Sequence, residues 1–209
     1  MRISPLFKIL TCAAALQMGA VATLADDEKS PWQIRVRAIS VTPDESSTTS
    51  IGGEATADGS IVPELDITYF WSKNFATELI LATSKHNMGA RGTALGDLSL
   101  GDTWVLPPTL TFQYHFNPEG SFRPYVGAGI NYTIFYGGDE GDVDSVEYDD
   151  GFGWALQAGA DFKIDENWVF NMDIKKLWLN TDVEINGGAV TADVDLDPWV
   201  FGAGFGYRF

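Results

Sequence analysis

The sequence ends with Asp197-Pro198-Trp199-Val200-Phe201-Gly202-Ala203-Gly204-Phe205-Gly206-Tyr207-Arg208-Phe209, and this stretch decides the fold class. From Trp199 onward every second residue is large or apolar, and most of the residues between them are glycine. A repeat of two indicates a strand whose two faces differ. An exposed aromatic row would make a soluble strand prone to aggregation. In a membrane barrel the aromatic row contacts lipid, and the edge of the strand pairs with a neighbouring strand. The stretch favours a membrane barrel over its alternative, the buried last strand of a soluble sandwich.

The first 25 residues have the features of an export signal. Two basic residues, Arg2 and Lys8, precede a mostly apolar run that extends from Ile9 to Leu24. Small residues before the acidic positions 26–28 offer a cleavage site after Ala25, and cutting after Ala22 fits nearly as well. We therefore predict a signal peptide over 1–25 and one barrel domain over 26–209. No run of about eighteen apolar residues follows, so the sequence predicts no transmembrane helix.

The chain is strongly acidic, with 13 Lys and Arg residues against 29 Asp and Glu residues and a net charge of -16. Nucleic acid is excluded as a partner, because phosphate binding needs a basic surface. The acidic residues are concentrated in two stretches, 139–150 and 193–197. We predict that residues 139–150 form a solvated loop that shares divalent cations with lipopolysaccharide. A dedicated calcium site is the weaker alternative, because the Asp-x-Asp-x-Asp-Gly order is missing.

The alternation of polar and apolar residues predicts eight strands. The connections between them are alternately long and short, as an even-stranded outer-membrane barrel requires. The fold class is therefore all-β, an eight-stranded antiparallel transmembrane β-barrel with long outer loops and short periplasmic turns. Proline lacks the N–H that a ladder needs, so Pro107 and Pro108 predict an irregular start for the fourth strand. The predicted strands are Trp32 to Val41, Ile61 to Phe70, Phe75 to Ser84, Trp104 to Phe116, Phe122 to Tyr136, Gly153 to Ile164, Trp168 to Val183 and the final stretch.

Alternation alone does not say which face points inward. Glycines lie mainly on the polar face, where a narrow lumen leaves little room, and aromatic residues lie beside the short turns, as an interfacial girdle would. Both features place the polar face inside. The girdle residues are Phe70, Trp71, Phe75, Phe116, Phe122, Phe162, Trp168 and Phe209.

Six residues on the inward face of their strands are candidates for the lumen wall: Glu78, Ile80, Gln113, Asp161, Asp173 and Lys175. A lysine surrounded by apolar side chains cannot stay charged without water or an acidic partner. We therefore expect Lys175 to pair with an acid on the lumen wall and Ile80 to form part of an apolar constriction.

Three runs resemble the OmpW family of outer-membrane proteins. They are Leu106 to Thr109, Phe122 to Thr133, and Leu196 to Phe201 followed by Gly206 to Phe209. The resemblance implies an eight-stranded barrel with a narrow lumen and a role in uptake or efflux of small, mainly hydrophobic molecules. The sequence departs from the family in its acidic loops and in the charges on its lumen face, notably Asp173 and Lys175.

The last residues also resemble the C-terminal assembly signal of bacterial outer-membrane barrels. The resemblance implies that the outer-membrane assembly machinery reads the aromatic side chains of Phe205, Tyr207 and Phe209. It also implies contact with outer-membrane lipid on the aromatic face.

Residues that carry chemistry are scarce. The histidines are His86 and His115, and the only cysteine, Cys12, lies in the predicted signal peptide, so we predict no metal site and no cofactor. A hydrolase or acyltransferase at the outer rim could use Ser84, His86 and Asp97. Nothing in the sequence fixes their geometry, so we predict that the protein is not an enzyme.

The sequence therefore predicts a porin-like barrel in the bacterial outer membrane that provides a narrow path for small hydrophobic or amphipathic molecules. The alternative is a non-conducting barrel that serves as a surface adhesion or receptor platform through its acidic loops. The sequence leaves open whether the path runs through the lumen or sideways through the wall.

Overall fold

The computed structural model describes residues 30–94 and 96–209, so the predicted signal peptide lies outside the described residues. Strands dominate this part of the chain, and none of it forms a helix long and apolar enough to cross a membrane. The strands are β1 (Trp32–Thr42), β2 (Ser46–Thr49), β3 (Glu54–Ala57), β4 (Ser60–Phe70), β5 (Phe75–Ala82), β6 (Ser84–Thr93), β7 (Gly96–Leu106), β8 (Thr109–His115), β9 (Phe122–Tyr136), β10 (Val146–Tyr148), β11 (Gly151–Lys163), β12 (Trp168–Trp178), β13 (Asn180–Ile185), β14 (Val190–Asp195) and β15 (Trp199–Arg208).

Eight of these strands form a closed antiparallel barrel, which confirms the predicted fold class. Around the wall the order is β1, β4, β5, β8, β9, β11, β12 and β15. The barrel closes where β1 pairs with β15, from Gln33 opposite Arg208 to Thr42 opposite Trp199. Three short turns, 71–74, 117–121 and 164–167, join strands at the periplasmic end.

The long outer connections predicted from the sequence are present, but they contain strands of their own instead of irregular chain alone. Residues 84–106 form the hairpin β6–β7, β3 pairs with β6, and β10, β13, β14 and β2 form a separate sheet. We call these outer connections, 43–59, 83–108, 137–150 and 179–198, the outer cup. Their inward residues alternate and pack together into an apolar core that continues into the upper part of the barrel. That core includes Met88, Leu100, Leu179, Val183, Ile185, Val194 and Leu196.

The extra hairpins also shorten two predicted strands. The predicted strand Trp104 to Phe116 is divided at Pro107 and Pro108, which separate β7 from β8. The predicted strand Trp168 to Val183 is divided at Leu179, between β12 and β13. The chain enters the barrel wall from the cup at the first place and leaves the wall for the cup at the second.

The barrel wall is apolar outside, and the lower part of its interior is polar, the reverse of a soluble barrel. Large apolar side chains such as Phe112 and Phe201 are half exposed on the outer wall, where they meet lipid in a membrane. Phe70 does not belong to the periplasmic girdle as predicted, because it points inward and is buried. A second aromatic group that the sequence reading missed lies at the outer end: Trp104, Phe152, Trp154, Trp178 and Trp199.

Inward glycines leave the space that the interior side chains fill. A Cβ at Gly159 would lie 2.5 Å from the hydroxyl of Tyr125, and one at Gly206 would lie 2.9 Å from the Arg35 side chain. These glycines therefore make room in the narrow lumen for Tyr125 and Arg35.

Candidate functional site

The lower, periplasmic part of the lumen is filled with buried polar side chains, which we call the polar plug. Its charged members are three cations and five carboxylates, contributed by five barrel strands. Amide, hydroxyl and imidazole groups occupy the space between them. The charged side chains are Arg35, Arg37, Glu64, Asp66, Glu78, Asp161, Asp173 and Lys175, and the neutral ones include Gln33, Thr68, Thr111, Gln113, His115, Tyr125, Gln157 and Asn171.

Arg35 holds the lower layer of the plug together. Its guanidinium contacts both oxygens of Asp161, with Nε 3.2 Å from Oδ1 and Nη2 2.8 Å from Oδ2. Nη1 donates to Glu78 and, at 2.9 Å, to the hydroxyl of Thr68. This planar, two-pronged contact is the arrangement for which a guanidinium is suited.

Arg37 lies one layer higher and is surrounded by acids. Its nitrogens lie 2.9 Å from Glu64, 2.8 Å from Asp66 and 3.1 Å from Asp173. Nη1 also donates to Oδ1 of Asn171 at 3.0 Å. The contacts of Nε and Nη2 with Asp66 and Glu64 lack hydrogen-bond geometry, so Coulomb attraction alone stabilises that side of the cluster.

Lys175 forms the top of the plug. Its ammonium nitrogen lies 2.8 Å from Glu64, across the lumen on β4, and 3.1 Å from Asp173 on its own strand. Asp173 also accepts from Gln157 at 2.6 Å, and Gln157 donates to Glu78 at 3.0 Å. The plug is therefore one connected network rather than a set of separate pairs.

The structure brings together five of the six candidates selected from the sequence: Glu78, Gln113, Asp161, Asp173 and Lys175. Gln113 donates to Glu78 at 2.8 Å, and Ile80 is buried above the plug as an apolar side chain. The candidate set omitted the two central arginines, Glu64 and Asp66. Their signal was present in the sequence, since Arg35 and Arg37 alternate with apolar residues in the first strand.

Aromatic rings close the periplasmic end of the lumen. The ring of His115 lies 5.0 Å from that of Tyr125 and 5.1 Å from that of Phe70, measured between ring centres. The guanidinium of Arg208 lies 4.0 Å above the Phe70 ring. These contacts leave the plug without an open channel to the periplasm.

Above the plug the interior becomes apolar. A cavity of about 60 Å³ has Glu64 and Ile80 at its lower edge, and most of its lining is aliphatic. We call it the apolar cavity. A second apolar cavity of about 30 Å³ lies within the cup, and Met88 lines both. The other aliphatic side chains that line the first cavity include Ile39, Val41, Val105, Leu177, Leu179, Leu196 and Val200.

The barrel wall is interrupted beside this cavity. Ladder pairing of β5 with β8 ends where Ile80 faces Thr109, and pairing of β6 with β7 begins where Ser84 faces Val105. Between them, residues 81–83 face residues 106–108 without ladder pairing. Two of those residues are prolines, which have no N–H to donate. We call this place the wall break.

Ser84 and His86 lie side by side on the wall of the apolar cavity. The hydroxyl of Ser84 is 2.7 Å from Nε2 of His86, and Nδ1 of His86 is 2.6 Å from the backbone carbonyl of Asp58. Asp97 is not part of this group, since its carboxylate accepts from the backbone N–H of Gly92. The Ser-His-Asp arrangement considered from the sequence is therefore wrong as a triad.

The C-terminal aromatic residues lie on the outer wall. Phe205 and Phe209 are about half exposed, and the Tyr207 ring lies between those of Trp168 and Phe209, 5.1 Å from each. In residues 30–94 and 96–209 no three His, Cys, Asp or Glu side chains are arranged to hold a metal ion.

The barrel and its interior have known counterparts. The family model described as OmpW family matches residues 28–209. The chain belongs to the OmpW family. This OmpW-family protein is 45% identical over 186 residues to the uncharacterized outer-membrane protein y4mB of Sinorhizobium fredii, a match that covers 86% of this chain and 80% of the relative. It lies in the bacterial outer membrane.

A solved structure and a second relative extend the comparison. The crystal structure of the outer membrane protein OprG from Pseudomonas aeruginosa has a TM-score of 0.79 and 32% identity, and the match covers 87% of this chain and 97% of OprG. The dibenzothiophene metabolism operon protein PahQ of Pseudomonas aeruginosa is 28% identical over 190 residues, covering 87% of this chain and 90% of PahQ.

Proposed function

We propose that this OmpW-family barrel gives small hydrophobic or amphipathic molecules a narrow path across the outer leaflet of the outer membrane. The observation that carries the proposal is the apolar cavity directly above a closed polar plug. An apolar solute is stabilised by leaving water for the cavity, but it would have to separate paired buried charges to go further down. The name of PahQ, which refers to the metabolism of an aromatic sulfur heterocycle, supports the same class of solute.

The path then turns sideways at the wall break. Residues 81–83 and 106–108 are the part of the wall next to the cavity where ladder pairing is missing. Separating them requires fewer hydrogen bonds to be broken than separating paired strands. Solutes that leave here reach the apolar interior of the membrane without passing the plug.

Met88 controls the way into the apolar cavity. Its side chain is buried and lies between the cavity in the cup and the cavity above the plug. Methionine is unbranched and flexible, so it can change rotamer to let a solute pass. The closed arrangement seen here therefore opens without movement of the barrel strands.

Uptake of the fluorescent hydrophobic probe 1-N-phenylnaphthylamine by intact cells tests the proposal. Cells with Met88→Ala should take up the probe faster than cells with the wild-type barrel, because the substitution joins the two cavities. Met172→Ala is the matched control, since Met172 is half exposed on the outer wall. Equal uptake by the wild type, Met88→Ala and cells without the barrel, at equal barrel abundance, would show that the cavity is no part of a path.

Replacing Pro107 and Pro108 together by valine tests the sideways exit. Valine restores two backbone N–H groups and favours strand pairing across the wall break. Uptake should fall while the amount of folded barrel stays the same. Unchanged uptake would place the exit elsewhere.

The acidity of the cup favours one second function, a surface platform for adhesion or receptor binding. Residues 139–150 contain seven acidic and no basic residues, and acidic loops at this surface suit divalent cations shared with lipopolysaccharide. Neutralising these seven residues should then abolish attachment to cationic surfaces without affecting probe uptake. Unchanged attachment together with altered probe uptake would favour the path for small hydrophobic molecules.

The aromatic C-terminus is proposed to be read by the outer-membrane assembly machinery. In the folded barrel Phe209 makes backbone hydrogen bonds with Ser30 at 2.7 Å and Trp32 at 3.2 Å, and its ring is half exposed. Deleting Phe209 should therefore lower barrel abundance in the outer membrane more than it lowers the free energy of unfolding. Equal abundance for wild type and deletion would contradict this role.

A further inference from the structure

We propose that Ser84 and Thr109 form a hydrogen-bond acceptor site on the wall of the apolar cavity, which selects apolar ligands that carry an O–H or N–H group. The ligand class is small alcohols, phenols and amines. The inference rests on the proposed function, because it assumes that small apolar molecules reach this cavity. It adds a chemical criterion that an aliphatic lining alone does not provide.

The contact of His86 with Asp58 fixes the direction of the hydrogen bond at Ser84. A backbone carbonyl only accepts, so Nδ1 of His86 must carry the proton that it shares with the Asp58 carbonyl oxygen. In a neutral imidazole Nε2 is then an acceptor, and the Ser84 hydroxyl must donate to it over 2.7 Å. The lone pairs of the Ser84 oxygen are left for the cavity.

The hydroxyl oxygen of Thr109 also keeps its lone pairs for the cavity, but through a different contact. Its hydroxyl donates to the backbone carbonyl of Pro107 at 2.9 Å. That carbonyl adjoins the wall break, and the proton of Thr109 is therefore also directed away from the cavity. The side chain is buried and lines the cavity, so its remaining lone pairs are available to a ligand there.

No polar side chain that lines the cavity offers it a free donor. The polar lining residues are Glu64, Ser84, His86 and Thr109. Glu64 is a carboxylate that accepts from Lys175 at 2.8 Å, and the His86 proton is used by Asp58. The cations of the plug lie below Glu64 and do not line the cavity.

A ligand with acceptors only is therefore disfavoured here. A ketone, ether or aryl fluoride brings lone pairs towards lone pairs, whereas a hydroxyl or amine donates to Ser84 or Thr109. A buried polar group without a partner is unfavourable, and a site built to bind a hydroxyl discriminates against analogues that lack it. The closed cavity is smaller than the roughly 150 Å³ that holds benzene elsewhere, so an aromatic ligand must displace Met88.

Methyl NMR of protein refolded in lipid nanodiscs tests the inference with two probes of nearly equal shape, phenol and fluorobenzene. With ¹³C-methyl-labelled methionine, the Met88 signal reports occupancy of the cavity, and the Met172 signal on the outer wall reports partition into lipid. We expect phenol to saturate the Met88 shift at a concentration about 3- to 10-fold lower than fluorobenzene, corrected for partition.

Variants separate the acceptor site from general apolar binding. Ser84→Ala should keep the preference for phenol, because Nε2 of His86 then faces the cavity as an acceptor. Thr109→Val, which keeps the side-chain shape, should reduce the preference. The triple variant Ser84→Ala/His86→Leu/Thr109→Val leaves only Glu64, which already accepts from Lys175, so the preference for phenol should fall well below the wild-type ratio.

The outcomes distinguish this inference from the proposed function. If both probes shift Met88 equally in the wild type, the acceptor site is wrong and the apolar path stands. If the triple variant keeps the wild-type ratio, the preference has another source and the inference also fails. If neither probe shifts Met88 at saturation of the Met172 shift, the cavity is not a binding site and both proposals fall.

Discussion

The lower and upper parts of the lumen are built on the same strands and have opposite chemistry. On β1 the inward residues change from Arg35 and Arg37 to Ile39, and on β12 they change from Lys175 to Leu177. All of these side chains are buried, so burial alone does not distinguish the two parts. The lower part stabilises its buried groups by pairing charges, and the upper part by excluding water from aliphatic side chains.

This difference shows how one wall can serve two purposes. A barrel of eight strands has room for little more than its own inward side chains. Where those side chains are charged and paired, the lumen is closed by a network that resists separation. Where they are aliphatic, the packing leaves the apolar cavity, and the wall break beside it supplies the proposed exit.

Arg37→Ala is expected to have the largest effect on stability. Arg37 is the cation shared by Glu64, Asp66 and Asp173, and its removal leaves buried carboxylates without their partner. Breaking a buried ion pair costs about 3–5 kcal/mol. A urea refolding titration in lipid vesicles measures the loss, with exposed Arg91→Ala in the cup as the matched control. Similar losses for the two variants would show that the plug does not stabilise the barrel.

Phe112→Arg is expected to have the second largest effect on stability. It tests whether polar side chains are confined to the interior of the barrel. Phe112 is half exposed on the outer wall, and an arginine near the bilayer centre costs about 2–4 kcal/mol. Its neighbour Gln113 is inward and hydrogen-bonds to Glu78, so Gln113→Arg places the charge beside an acid and should cost less. The same refolding titration compares the two. A larger loss for Gln113→Arg would mean that the inward and outward faces are reversed.

Lys175→Ala should destabilise the barrel less than Arg37→Ala, by about 1–3 kcal/mol, because it leaves fewer carboxylates without a cation. The substitution also extends the apolar cavity downwards, so probe uptake should rise. Single-channel conductance should stay at the wild-type level, because Arg35, Glu78 and Asp161 still fill the layer below. An increase in ion conductance would show that Lys175 alone closes the lumen.

Glu119→Gln is expected to have no measurable effect, although Glu119 and Lys73 lie only 2.5 Å apart. The hydrogen bond from Lys73 lowers the pKa of the Glu119 carboxyl from its usual 4.5. Any contribution to stability is thus present above that pH and is lost as the pH falls through the lowered value. Both side chains are exposed at a periplasmic turn, where water and salt screen the pair. A loss at neutral pH comparable to that of Lys175→Ala would contradict the distinction between buried and exposed charges.

Alternation along the strands was sufficient to predict the barrel, because a bilayer imposes a strict difference between the two faces. The sequence did not show that the connections form hairpins. Residues 190–194 also alternate, but Asn186-Gly187-Gly188 and the nearby acids favoured a loop after the predicted strand Trp168 to Val183. The stabilisation of these hairpins comes from packing against Met88 and Leu100, which lie far away in the sequence.

For the candidate site, the sequence indicated which side chains point inward but not which ones meet. Lys175 was expected near an acid, and the contact with Glu64 depends on how β12 and β4 face each other across the lumen. Ser84 and His86 were considered together only as members of a triad with Asp97, and nothing in the sequence determined their geometry. The role of the Asp58 carbonyl could not be predicted, because every residue has a backbone carbonyl and the contact therefore does not depend on the type of side chain.

The seam between β1 and β15 links assembly of the plug to closure of the barrel. Arg35 and Arg37 lie on β1, and their acidic partners lie on both sides of the seam: Glu64 and Glu78 on one side and Asp161 on the other. Before β15 joins β1, neither guanidinium can bridge to the far side. Folding intermediates with an open seam therefore leave buried charges unpaired, so the last step should be cooperative. Because the seam pairs Gln33 with Arg208, from opposite ends of the domain, that step also has a high contact order and should set the folding rate.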